Sequence, residues 1–168
     1  IFAPANIRLA LNYSLTNRLA IGFGLSKVIV SYPKIDLNVK YKILQQMQSG
    51  GSPVNLTYFG NLVVDTDKPE NFDEGVHRLS YFNELIISRR FGPKFSAQVA
   101  PMISHFNAVD SLYRHDIFGV SLGIKFKVTQ TGSINFEWTQ PLNQHYVNDQ
   151  IHENLQKDAG PKPNIALG

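Results

Sequence analysis

The sequence predicts an all-β protein: an antiparallel up-and-down transmembrane β-barrel of about 8–12 strands forming a single domain over residues 1–168. Three observations carry the prediction. Alternation of apolar and polar residues with period two recurs in segment after segment. The connections alternate between short turns, near 16–17, 45–53, 91–95 and 128–132, and longer loops, near 27–34, 65–76, 107–115 and 141–163. The face opposite the apolar one carries small and amide side chains, with less charge than a water-facing surface usually shows.

The ribbons follow one another in order. Ile7, Leu9, Leu11, Tyr13 and Leu15 oppose Arg8, Ala10, Asn12 and Ser14, and Thr16-Asn17 supplies a turn. Leu19, Ile21, Phe23 and Leu25 then alternate with Ala20, Gly22, Gly24 and Ser26. After the Ser31-Tyr32-Pro33 break, "IDLNVKYKIL" sets Ile35, Leu37, Val39, Tyr41 and Ile43 against Asp36, Asn38, Lys40 and Lys42. A glycine-rich turn leads to Val54, Leu56, Tyr58, Leu62 and Val64, opposite Asn55, Thr57, Phe59 and Asn61. Leu79, Tyr81, Leu85 and Ile87 make a fifth ribbon, and Phe91-Gly92-Pro93-Lys94 turns it. Phe95, Ala97, Val99 and Ile103 form the sixth, Phe118, Val120, Leu122, Ile124 and Phe126 the seventh, and Ile134, Phe136 and Trp138 the eighth. Asn164 to Gly168 reads as a ninth ribbon cut short. Single-chain membrane barrels have an even strand count, so the natural protein is expected to continue beyond this stub.

Composition removes several classes. Residues are 43% hydrophobic and 17% charged, yet apolar runs such as Leu62-Val63-Val64 are far too short for a membrane-spanning helix. There is no cysteine, hence no disulfide, thiolate metal site or thiol nucleophile. The Lys and Arg residues are scattered, which argues against a nucleic-acid partner. A soluble lipocalin-like carrier, apolar face inward, produces the same alternation and is the alternative reading. The alternating connections, the aromatics near ribbon ends (Tyr13, Tyr41, Tyr58, Phe91, Phe95, Phe126, Trp138) and the uncharged polar face favour the membrane.

Four stretches, "ANIRLALNYSLTNRLAIGFGLSK", "LSYFNELIISRRF", "FSAQVAPMISHFN" and "HDIFGVSLGIKFKVT", resemble an outer-membrane β-barrel family of Bacteroidota-type bacteria, a domain of unknown function. The resemblance spans most of residues 5 to 142. It implies a secreted, barrel-inserted protein of the Gram-negative outer membrane, in a family that carries sequence after the stub. It implies no reaction. The chain departs from the family pattern at Phe106, where a basic residue is expected, and in its longer 141–163 loop.

The lumen-facing charges are expected to be Arg8, Asp36, Lys40, Lys42, Arg78, Glu84, Arg90, Lys125 and Glu137, mixed in sign and able to pair. They either fill a narrow lumen or, in a wider porin-like barrel, set ion selectivity. The lipid-facing aromatics are Tyr13, Phe23, Tyr41, Tyr58, Phe126 and Trp138. His105, His115 and Asp116 are a weak metal set with no recognised spacing, and a bulge near Pro101 would turn His105 inward. No metal or other cofactor is expected. Glu84 and Glu137 are conceivable as a glycosidase or lipase-like acid–base pair, but no Ser-His-Asp order or Gly-x-Ser-x-Gly elbow supports it, and Gly22-Phe23-Gly24 is followed by no helix, so no enzyme is expected. The expected role is a structural or complex-forming subunit, or a small pore. Its partners are membrane lipid and other outer-membrane or periplasmic proteins reached through the long loops, above all 143–163.

Overall fold

A computed structural model describes residues 6–28, 32–47, 50–72, 74–109, 113–143 and 163–168. The strands are β1 (Asn6–Ser14), β2 (Leu19–Val28), β3 (Lys34–Leu44), β4 (Asn55–Asp65), β5 (Leu79–Arg90), β6 (Phe95–Phe106), β7 (Asp116–Lys127), β8 (Ser133–Pro141) and β9 (Asn164–Leu167). They form one nine-stranded antiparallel sheet in sequence order, and among the described residues β1 does not pair with β9. Strands β3 to β7 have 11 or 12 residues. Tilted strands of about 9–11 residues cross a hydrocarbon layer, so these are long enough.

The turns follow from local chemistry. In the first, Thr16 Oγ1 accepts hydrogen bonds from the Arg18 and Leu19 amides at 3.2 and 3.0 Å. In the β7–β8 turn, Thr129 Oγ1 takes the Gly132 amide at 2.7 Å. Gly92 makes the β5–β6 turn at φ 156°, a conformation closed to most side chains. The alternation of connection lengths is less strict than the sequence suggests. Residues 29–33 join β2 to β3, whereas the nominally short third connection spans 45–54. The 65–76 loop contains two short 3-10 turns, Pro69–Asn71 and Gly75–Arg78. The Asn143–Pro163 loop lies, beyond its first and last residues, outside the described residues.

Register assigns the faces. One row runs Leu11, Phe23, Leu37, Leu62, Tyr81, His105 and Asp116; the neighbouring row on the other face runs Asn12, Gly22, Asn38, Asn61, Phe82, Ser104 and Ile117. The register shifts once on β3, between Lys42 and Leu44. The bulge expected near Pro101 is not there. Pairing passes from Glu84↔Met102 to Ile87↔Val99, three positions on along β5 and three back along β6, with a gap in the ladder where Pro101 has no N–H to give. His105 therefore stays on the apolar face, paired with Tyr81 and Asp116.

The apolar face is bare. Leu9, Leu11, Phe23, Leu37, Phe118, Leu122 and Phe126 are all exposed, and the only buried hydrophobic residue described is Ala100, on the opposite face. Leaving such a face in water forgoes about 25 cal/mol for each Å² that could have been buried. A water-soluble barrel encloses its greasy side; here that side is the outer one.

Candidate functional site

The polar face holds the candidate site. Its side chains lean over one another across two strand spacings, as on the concave side of a curled sheet. Arg8 on β1 reaches Asp36 on β3, with Nη2 2.6 Å from Oδ1. Asp36 is nearly buried, 4% exposed, while Arg8 is half exposed. Gly24 on β2 lies between them and makes the contact possible, because a Cβ there would run into the Asp36 carboxylate. Gly22 makes the same room for Asn12 and Asn38, and Gly123 for Gln98. The Gly24→Ala variant is therefore expected to lose about 1 kcal/mol of stability through the displaced carboxylate, read from chemical unfolding in detergent or lipid.

The other expected lumen charges do not form one network. Lys40 and Glu84 share a row with Phe59, Met102 and Gly119, and the Ser121 hydroxyl donates to Glu84 Oε1 at 3.3 Å. Lys42 lies on the next row, opposite Thr57, and Glu137 pairs with Gly123. Glu84 and Glu137 are three strands apart, roughly 14 Å along a sheet, and share no row. Arg90 sits at the end of β5 and spends its guanidinium on the Gly92 and Pro93 carbonyls at 3.0 and 3.4 Å. Lys125 lies beside it, on the row of Ser96 and Asn135. Arg78 is a correction: it belongs to a 3-10 turn outside the sheet, its guanidinium 5.0 Å above the Phe72 ring.

The six aromatics Tyr13, Phe23, Tyr41, Tyr58, Phe126 and Trp138 all lie on the apolar face by register. Tyr13, Tyr41 and Phe126 stand toward the short turns, and Phe95, paired with Phe126, has its ring 5.5 Å from that of Phe91. Phe23 and Trp138 sit mid-strand, so the aromatics are not confined to strand ends. The Tyr58 hydroxyl lies over Gly60 and donates to Asn83 Oδ1 at 2.6 Å, which satisfies an amide on an otherwise apolar surface.

His105, His115 and Asp116 meet at the long-loop rim, but as a hydrogen-bonded group. His105 Nδ1 is 2.7 Å from Asp116 Oδ1 and its Nε2 is 2.9 Å from Asn107 Oδ1. His115 Nδ1 is spent on the Phe106 carbonyl at 2.7 Å, and the two imidazoles stack at 6.1 Å. Among the described residues no three His, Asp or Glu side chains are arranged to hold a metal ion.

Sequence reasoning missed several features. Lys34 pairs with Asp65 at 3.1 Å on the long-loop rim. The Gln46 side-chain amide bonds both the N–H and the carbonyl of Arg90 at 2.9 Å, acting as a strand of one residue at the end of β5. Asn143 does the same for β7, accepting from the Phe118 amide and donating to the Asp116 carbonyl, both at 2.8 Å. The polar face also carries apolar bulk: Phe59 and Phe82 meet edge-on at 6.1 Å, with Met102 on the row of Phe59 and Ile86 on the adjoining one. In the sequence these residues merely interrupt the alternation, which was the available signal.

A bare apolar face, a polar face with its own packed contacts and strands of spanning length are the marks of a barrel seated in lipid. The model of a family described as a membrane bound beta barrel domain (DUF5777) matches residues 1–159. The chain belongs to that family. No curated protein and no solved structure matches it. As a membrane bound barrel domain the chain contacts lipid, and the exposed leucines and phenylalanines of β1, β2, β3 and β7 are the side chains suited to that contact.

Proposed function

We propose that this barrel domain resides in the outer membrane of a Gram-negative bacterium, with its short turns on the periplasmic side, and serves as a structural or complex-forming subunit rather than an enzyme. One observation carries the reading. The lumen side of β4, β5 and β6 carries the half-buried Phe59, Phe82, Ile86 and Met102, the two rings in edge-on contact, while Arg8 and Asp36 lie paired on the same face. Packed apolar side chains oppose a water column. The long loops, with the His105–Asp116 group and the Lys34–Asp65 pair on their rim, are the surface offered to other outer-membrane proteins; with the short turns periplasmic, the periplasmic partners also expected from the sequence would have to meet the opposite end.

A small pore is the second reading, favoured by the wall glycines Gly22, Gly24 and Gly123, over which neighbouring side chains lie flat instead of projecting. Planar-bilayer recordings decide between them. The protein, expressed with a signal and recovered from outer membranes as a heat-modifiable band, is expected to show no steady conductance. Recovery in the soluble fraction refutes the membrane location, and stable single-channel steps refute the filled lumen. If Phe59→Ala/Phe82→Ala then opens steps that the parent lacks, those two rings are the plug.

A further inference from the structure

The acidic residues of this chain are sorted by end, whereas the basic ones stand at both. Every Asp and Glu except Glu84 and Glu137 lies in a long connection or within three residues of one. The short connections 15–18, 45–54, 91–94 and 128–132 contain no acidic residue at all. At that end the lumen face gathers Lys42, Arg90, Lys125 and Lys127, and Lys94 joins them from the β5–β6 turn. Arg90, Pro93, Lys94, Ser96, Lys125 and Lys127 line one concavity of about 200 Å³. Glu137 is the nearest carboxylate in the register, in the adjoining hollow with Lys125, but no ion pair forms between them.

The cluster is held in place by its backbone. Gln46 clamps Arg90 from the neighbouring turn, the Arg90 guanidinium is tied to the turn carbonyls, and the Lys127 amide donates to the Lys94 carbonyl at 2.8 Å. Cations gathered without an acidic partner repel one another, and a bound anion removes that repulsion. A carboxylate offers two acceptor oxygens in one plane. A tetrahedral phosphate offers oxygens in several directions, which suits ammonium groups arriving from β7 and from the turn, with the Ser96 hydroxyl as a further donor.

We propose that the short-turn mouth of the lumen binds a phosphate group, presented either as a free phosphate or as the headgroup of an anionic phospholipid at the membrane surface. The site holds whether the lumen behind it is filled or open, so it goes beyond the structural role proposed above. The test uses the full chain, folded in zwitterionic detergent and in phosphatidylcholine nanodiscs with or without phosphatidylglycerol. Inorganic phosphate is titrated at constant ionic strength against chloride, and lipid retention is measured by mass spectrometry. Lys125→Gln/Lys127→Gln is expected to weaken binding about tenfold or more, whereas Lys68→Gln, in a long loop, leaves it unchanged.

Saturable phosphate binding that the double variant weakens supports a free-phosphate site. Selective retention of phosphatidylglycerol that the double variant abolishes, with no phosphate isotherm, supports the headgroup source. Binding no stronger than chloride in both arms, or equal in parent and double variant, overturns the proposal. Heat-modifiable migration verifies that each variant is folded, and Lys94→Gln/Lys127→Gln, at two exposed positions, repeats the measurement should the first pair fail to fold.

Discussion

Arginine at Leu122 is expected to destabilise the folded barrel by about 2–4 kcal/mol, measured as the urea-unfolding free energy of protein refolded into lipid vesicles. Leu122 is the seventh of the 12 residues of β7, lies on the apolar face between Val99 and Trp138, and is exposed. At that depth a guanidinium has neither water nor a partner. The same substitution at Phe126, one residue from the end of the strand, is expected to cost about 0–1 kcal/mol, because the side chain reaches the interface. The gradient matters more than either value. Equal costs at the two positions, or a protein that unfolds identically without lipid, contradict an apolar face bathed in hydrocarbon.

Removing Arg8 is the second large effect. Arg8→Ala leaves the Asp36 carboxylate, 4% exposed, with no cation, and the expected loss is about 1–3 kcal/mol. The lower half of that range is favoured because Arg8 itself is half exposed and already hydrated. Adding Asp36→Asn is expected to recover part of the loss, since an amide tolerates the site without a counter-charge. Gly24→Ala acts on the same contact, so Arg8→Ala/Gly24→Ala is expected to cost less than the separate losses together. Strict additivity places the glycine effect outside the ion pair.

Much of this architecture was legible in the sequence because a half-exposed strand writes its two faces as a period of two. Ile35, Leu37, Val39 and Tyr41 against Asp36, Asn38 and Lys40 announce a strand and its faces without any partner in view. Turn chemistry was equally local: Thr16, Gly92 and Gly132 mark chain reversals that need nothing beyond a few residues. The site was less legible. Arg78 reads as the polar alternate of β5, yet the strand starts one residue later and the guanidinium stacks on Phe72 in the loop. Pro101 suggested a bulge, but an antiparallel ladder tolerates one missing N–H without a shift, and the bulge fell on β3 instead.

The sequence by itself determined the class, the order of the strands and which side of each is greasy. The all-β class and the greasy side follow from the alternation of side chains along a strand, and the order from the connections between consecutive ribbons, both properties local to the chain. Only the tertiary structure decided which polar groups meet. Arg8 finds Asp36 across Gly24, Lys34 finds Asp65, and Gln46 closes the end of β5, because each contact depends on register between segments 28, 31 and 44 residues apart. Alternation is unchanged when a strand slides by two residues along its neighbour, so it does not encode those partners. Pairing of whole strands does, and with it the wall of the lumen and the basic cluster at its short-turn end.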